Sequence, residues 1–317
     1  MNITKKIIRG CLTALAFVIL FTLIQTVLVP QYGSDSTTKV EGYYALEKNS
    51  VDVLFVGPSQ MFCTVDAPRL YNEHGIHAYD FGASDQRLSM SYYYLIEALK
   101  TQNPKAVFVE VCEIFEPNDT IDDSTVAWNY APMRASTDKY RSLLATFQGD
   151  KKKAFEYSYV PLFAYHSRWN SLRLTDFVYY PWFFFVYDGA DRGFTSEENS
   201  APQEIVFDKT AASGEFLQIP VENQEALLSM NELCKENGIE IVYFKAPSAD
   251  WTKNESASAK AFMEGNGLTY LDMNDYLTEI GIDPNSDFRD ENHLNSNGAA
   301  KSTDFLAQFI ASNSYLR

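Results

Sequence analysis

The stretch that most constrains this chain reads Val51-Asp52-Val53-Leu54-Phe55-Val56-Gly57-Pro58-Ser59-Gln60. Five of its first six residues are apolar and three are valine, the pattern of a strand buried on both faces of a parallel sheet. Gly57-Pro58 then breaks regular structure, so Ser59 is presented on a turn at the carboxyl end of a strand. Open α/β sheets bind their ligands at that end. A serine there is either a nucleophile, if a base reaches its hydroxyl, or the cap of the next helix.

The same rhythm recurs along the chain. Strands are expected at 51–56, 77–81, 106–111, 239–244 and 268–272, and helices at 89–102, 221–237, 257–265 and 296–312. Asn237-Gly238 ends one helix and Asn295-Ser296 begins another. Such alternation implies an α/β fold with a parallel sheet covered on both faces. A length of 317 residues suits one such domain with a substantial insertion, or two small domains.

A second constellation lies near the C-terminus, in Asp287-Phe288-Arg289-Asp290-Glu291-Asn292-His293-Leu294-Asn295. Asp290 and His293 are three residues apart and share a face if the segment is a helical turn. The carboxylate then fixes the imidazole tautomer while the other ring nitrogen faces a serine. The chain has only four histidines, which sets this one apart. The order Ser, Asp, His is that of the nucleophile-elbow hydrolases, although there the last two lie far apart in sequence. The competing reading is a surface pair at the start of the last helix.

The N-terminus carries a different signal. Residues 1–10 contain Lys5, Lys6 and Arg9 and no acid, and residues 11–29 contain no charge at all. A run of that length crosses a bilayer and exceeds an ordinary signal-peptide core. The basic flank predicts a cytoplasmic tail at 1–10, a transmembrane anchor at 11–29 and a single-pass protein whose remainder is extracytoplasmic. A cleaved signal peptide and a buried core helix are the alternatives. Residues 30–48, polar and Gly/Ser/Thr-rich at first, read as a linker. The net charge of −16 excludes a nucleic-acid footprint. The four cysteines, Cys11, Cys63, Cys112 and Cys234, are too scattered for a disulfide framework or zinc site.

These residues together resemble the SGNH (GDSL-like) hydrolase superfamily, in particular membrane-anchored members of bacterial envelopes such as the teichoic-acid D-alanine transfer and alginate O-acetylation proteins. The first block, Gly-Asp-Ser in that family, is Gly57-Pro58-Ser59 here. The second, a glycine after the second strand, matches Tyr79-Asp80-Phe81-Gly82-Ala83-Ser84, and the last, Asp-x-x-His, matches Asp290 and His293. The third, Gly-x-Asn-Asp, is absent; Val109-Glu110-Val111-Cys112-Glu113 stands there. The likeness covers roughly residues 50–115 and 215–312.

The resemblance implies a three-layer α/β/α flavodoxin-like sandwich, assembled from residues 49–114 and 215–317 around an insertion or lid at 115–214. It implies Ser59 as nucleophile, His293 as base, Asp290 as orienter, and the N–H groups of Ser59 and Gly82 as oxyanion donors. A strand-end turn with positive φ is the other reason for a glycine at 82. The reaction implied is O-acyl transfer or de-esterification on a cell-envelope polymer, without a cofactor or metal. The alternative is a non-catalytic subunit that binds polymer or a membrane-bound O-acyltransferase.

The insertion holds fourteen aromatics between residues 155 and 187. So much aromatic surface is buried over the active site, laid on a bilayer, or covered by a partner. Within it, Tyr165-His166-Ser167-Arg168-Trp169 offers His166 and Arg168 as a site for an anionic or sugar-like substrate, or as a knot that anchors the insertion. Lys245, at the end of the fourth strand, is either a further anion contact or a solvated strand-end lysine.

Overall fold

The computed structural model describes residues 3–29, 35–195, 198, 205–207 and 212–316. Five parallel strands form one sheet in the order β2-β1-β3-β4-β5. They are β1 Val53–Gly57, β2 Ala78–Gly82, β3 Ala106–Glu110, β4 Glu240–Lys245 and β5 Tyr270–Asp272. Every residue of β1, β2 and β3 is buried, because helices cover both faces. The strand order reverses between β1 and β3, so the exit of β1 lies at the switch point where such sheets open a crevice.

The helices are α1 Ile3–Leu28, α2 Asp35–Ala45, α3 Ser59–Phe62, α4 Ala67–His74, α5 Leu88–Ala98, α6 Asp123–Tyr130, α7 Thr137–Thr146, α8 Lys151–Tyr159, α9 Pro161–Tyr165, α10 Leu174–Phe185, α11 Val221–Glu236, α12 Lys253–Gly265, α13 Leu277–Ile280 and α14 Ser296–Ser312. On one face Tyr79, Val107 and Tyr243 pack with Tyr43 of α2, Leu95 of α5, Met230 of α11 and Met263 of α12. On the other, Phe55, Phe108 and Phe244 pack with Phe62 of α3, Leu70 of α4 and Leu306 of α14. Phe55 lies 5.1 Å from Phe108 and 6.2 Å from Phe244, centroid to centroid. The expected three-layer α/β/α sandwich is therefore the fold.

The segment read as a linker differs. Its second half is α2, whose Val40 and Tyr43 are fully buried beside β2. The Tyr43 ring stacks 4.2 Å from that of Phe81, and the Tyr79 hydroxyl donates to the Lys39 carbonyl at 2.8 Å. Two apolar positions three residues apart suffice to dock a short helix, although the polar residues before them mask it in sequence.

The aromatic run packs against α1 and α2. Helices α7 and α8 extend the layer formed by α5, while α9 and α10 pack on α1. Tyr180 donates to Glu41 of α2 at 3.3 Å. A later part of the insertion does approach the sheet end: Thr195 N–H donates to the Phe62 carbonyl, and Ile205 packs with Phe288 and Leu294.

Candidate active site

Two glycines shape the exit of β1. A Cβ at Gly82 would stand 2.1 Å from the Gly57 carbonyl oxygen, and one at Gly57 would stand 2.8 Å from Glu110 Cβ. Close strand approach therefore demands both. Gly82 is the last residue of β2, not a turn residue with positive φ, which corrects the conformational reason given for it above. Pro58 caps α3 without a side-chain bond and Ser59 is its first residue. The serine hydroxyl is thus not spent on capping. It lies 2.7 Å from His293 Nε2.

The histidine arrives on a tight loop, not on the helical turn expected from its spacing. A bridge between Phe288 and Leu294 closes that loop, and Arg289 N–H donates to the His293 carbonyl at 2.9 Å. Asn295 caps α14 by accepting from Asn297 and Gly298 N–H, and its amide donates to the Ser286 carbonyl at 2.7 Å. Lys301 of α14 donates to the buried Asp287 at 2.6 Å. Ala249 N–H, after β4, donates to Glu291 O at 2.7 Å. Neighbours on several elements thus hold a loop with little regular structure of its own.

His293 Nδ1 lies 2.8 Å from Asp290 Oδ1, which also accepts from the backbone N–H of His293 and of Asn292. Arg289 Nε donates to the other oxygen at 3.1 Å. Partial burial pushes the Asp290 carboxyl up, but the hydrogen bond and charge of His293, with the Asn292 and Arg289 donors, hold it below its ordinary value. An ionised Asp290 keeps the ring proton on Nδ1, leaving Nε2 to accept the Ser59 proton. Ser59, His293 and Asp290 are 234 and 3 residues apart in sequence, and the fold joins them in one chain of hydrogen bonds.

Lys245 meets neither expectation. It is fully buried, and Nζ donates to Gln60 Oε1 at 2.5 Å, to the Ala246 carbonyl at 2.9 Å and to Ser248 Oγ at 2.9 Å. Glu110 Oε1 lies 3.7 Å away. The same Glu110 accepts from Cys112 N–H at 2.8 Å and Ala246 N–H at 3.2 Å. Lys245 is therefore a strut from β4 to the residue beside Ser59, because every donor it has is consumed inside the protein. Sequence reasoning missed Gln60 and Glu110 as parts of this strut. Their only local signal is a polar residue at the end of an apolar strand.

His166 stays exposed, while Arg168 is bound within the chain. His166 Nδ1 pairs with the Phe163 carbonyl at 2.7 Å, while Arg168 donates to the Leu28 carbonyl at 2.6 Å and to the buried Asp176 at 2.7 Å. The guanidinium fork expected for a substrate anion instead ties the insertion to the last turn of α1. A different arginine lies nearer the sheet end. Arg87, after β2, pairs with Glu113, after β3, and donates to Thr120 Oγ1 at 2.9 Å. Since β1 runs between β2 and β3, this pair spans the loops on either side of the Ser59 turn. Arg87 is buried, and its Nε has no hydrogen-bond partner among the described residues.

No family model matches this chain, and no curated protein does. Among solved structures it is similar to a crystal structure of a protein assigned as an acylhydrolase from Bacteroides fragilis NCTC 9343. The match has a TM-score of 0.41 and 14% identity, over 88% of this chain and 95% of that one.

Proposed function

We propose that this protein is a serine acyl-ester enzyme, an O-acyltransferase or esterase of SGNH type, held to a membrane by α1 with its domain on the extracytoplasmic side. One observation carries the reading: Ser59 Oγ at 2.7 Å from His293 Nε2, with Asp290 Oδ1 at 2.8 Å behind Nδ1. Ser59 Oγ attacks an acyl carbonyl while Nε2 takes its proton, and Asp290 stabilises the imidazolium. Ser59, as first residue of α3, has an N–H without a partner inside that helix. With the Gly82 N–H it is the proposed donor to the tetrahedral oxyanion. Collapse expels the alcohol, which takes the proton from His293 and leaves an acyl-Ser59 ester. A polymer hydroxyl or water, deprotonated by His293, then releases the acyl group. The motif resemblance supports an envelope polymer as acceptor and a membrane-bound O-acyltransferase as working partner.

A serine-directed fluorophosphonate tests this on the full-length protein in detergent. Wild type is labelled, Ser59→Ala is not, and His293→Ala and Asp290→Asn label at least ~10²-fold more slowly. Circular dichroism confirms that each variant is folded. One observation favours a non-catalytic subunit that binds polymer or a membrane-bound O-acyltransferase instead: no Gly-x-Asn-Asp follows β3, and Glu110 at the end of that strand turns its carboxylate inward. Unlabelled but folded wild type, with Ser59→Ala fully functional in cells, establishes that second reading.

A further inference from the structure

Helix α10 is apolar on two opposite sides. Tyr179 and Phe183 face the protein and are buried, as is Asp176 beneath Arg168. Leu174, Phe177, Val178 and Phe185 lie on the outer side at helical spacing, with Leu174 78%, Phe177 56% and Phe185 87% exposed. Phe184 adds to the same surface, and so does Trp169 in the preceding turn, at 72%. A helix on a water-facing surface carries polar residues outward. Here the outward side is as hydrophobic as the inward one.

What covers it follows from what adjoins it. Helices α9 and α10 and the turn between them pack on α1, and only at its last turns. Leu162 N–H donates to Gln25 Oε1 at 3.3 Å, Arg168 to the Leu28 carbonyl, and Leu28 packs with Ala127 and Tyr165. Residues from Ile3 to Leu23 of α1 stay almost wholly exposed. About 20 residues of helix cross the hydrocarbon core, so a span that begins after Arg9 brings the last turn of α1 to the boundary between that core and the headgroup layer. That layer favours Trp and Tyr.

We propose that the outer face of α10, with Trp169 and Phe163, is a lipid-contacting foot that seats the domain on the bilayer where α1 leaves it. The proposal rests on reading α1 as a membrane span. Its occupant is the acyl-chain and headgroup boundary, into which an amphipathic aromatic helix buries its apolar side. With a net charge of −16, the chain gains this contact from apolar burial, so the contact holds in zwitterionic lipid and at high salt.

The test reconstitutes full-length protein into phosphatidylcholine bilayers containing a lipid with a diazirine in its acyl chain. After photolysis, adducts are mapped by mass spectrometry. Adducts are expected on α1 and on residues 163–186, and not on Phe216 or Val221, exposed residues on the α11–α12 side of the domain. Triple replacement Phe177→Ser, Phe184→Ser and Phe185→Ser should abolish the adducts on 163–186 while sparing those on α1. Adducts on α1 alone overturn the foot and leave the anchor standing. Adducts on neither overturn the anchor reading itself. Protection of 163–186 in native membranes, without adducts in protein-free bilayers, assigns the face to a membrane protein and overturns the lipid contact.

Discussion

Strand β1 and helix α10 are both apolar on opposite sides, yet protein covers β1 on both and α10 on one. In β1, Leu54 and Val56 enter one core while Val53 and Phe55 enter the other, and none of the four is accessible. In α10, Tyr179 and Phe183 are covered and Phe177 and Phe185 are not. Hydrophobic residues in a sequence thus report that a surface is kept from water, without naming the cover.

The comparison predicts unequal costs for similar substitutions. Phe55→Ala, which opens a cavity between Phe108 and Phe244, should destabilise the protein by about 3–5 kcal/mol in urea unfolding in detergent. A cost under about 1 kcal/mol would show that β1 is not held as tightly as its burial implies. Arg168→Met should come next, at about 2–3 kcal/mol, because it strands the buried Asp176 carboxylate and frees the Leu28 carbonyl. Hydrogen exchange should speed up in α10 ahead of the sheet. Uniform acceleration would mean that the insertion and the sheet open together.

Lys139 inverts the case of α10, being a charge-bearing group that protein does cover. Burial pushes its pKa down to about 7, against a small upward pull from Glu97, and its Nζ donates to the Met133 carbonyl. At pH values below about 7 both folded and unfolded chains hold the proton, and the folded state bears the full cost of burying it. Between there and the ordinary lysine value of 10.5 only the unfolded chain stays protonated, so stability rises with pH. Lys139→Met should therefore stabilise by about 1–3 kcal/mol at pH 6, with the gain fading toward pH 10. A pH-independent gain would place its origin in packing. Smallest of all, Phe185→Ser should change stability in detergent by no more than about 0.5 kcal/mol. A larger loss would mean that protein, not lipid, covers it.

Much of the sandwich is legible because its signals are local. The five expected strands overlap the five observed, and the expected helix at 296–312 coincides with α14. The partners of Lys245 are different in kind. Gln60 lies 185 residues away and Glu110 lies 135 away, so nothing near Lys245 distinguishes a buried strut from a solvated lysine. Arg168 is similar, with Leu28 140 residues distant. Ser59 and His293 are no nearer in sequence, yet each sits in a motif with a fixed relation to a strand or helix end. Spacing suggested a helical turn for Asp290 and His293, but a bridge and an asparagine cap position them instead.

The start of α2 governs how far the serine stands from the end of α1. Ser36 Oγ donates to Asn129, whose amide donates to the carbonyl of Ser84, in the loop just beyond β2. The carboxyl end of the sheet is thus the end at which the chain arrives from α1. Six residues separate Leu28 from Asp35, a leash of about 25 Å when fully extended. A domain that begins within that reach of a membrane span stays close to the bilayer surface. For a chain anchored through α1, its encounters with other molecules of the same membrane become a search in two dimensions.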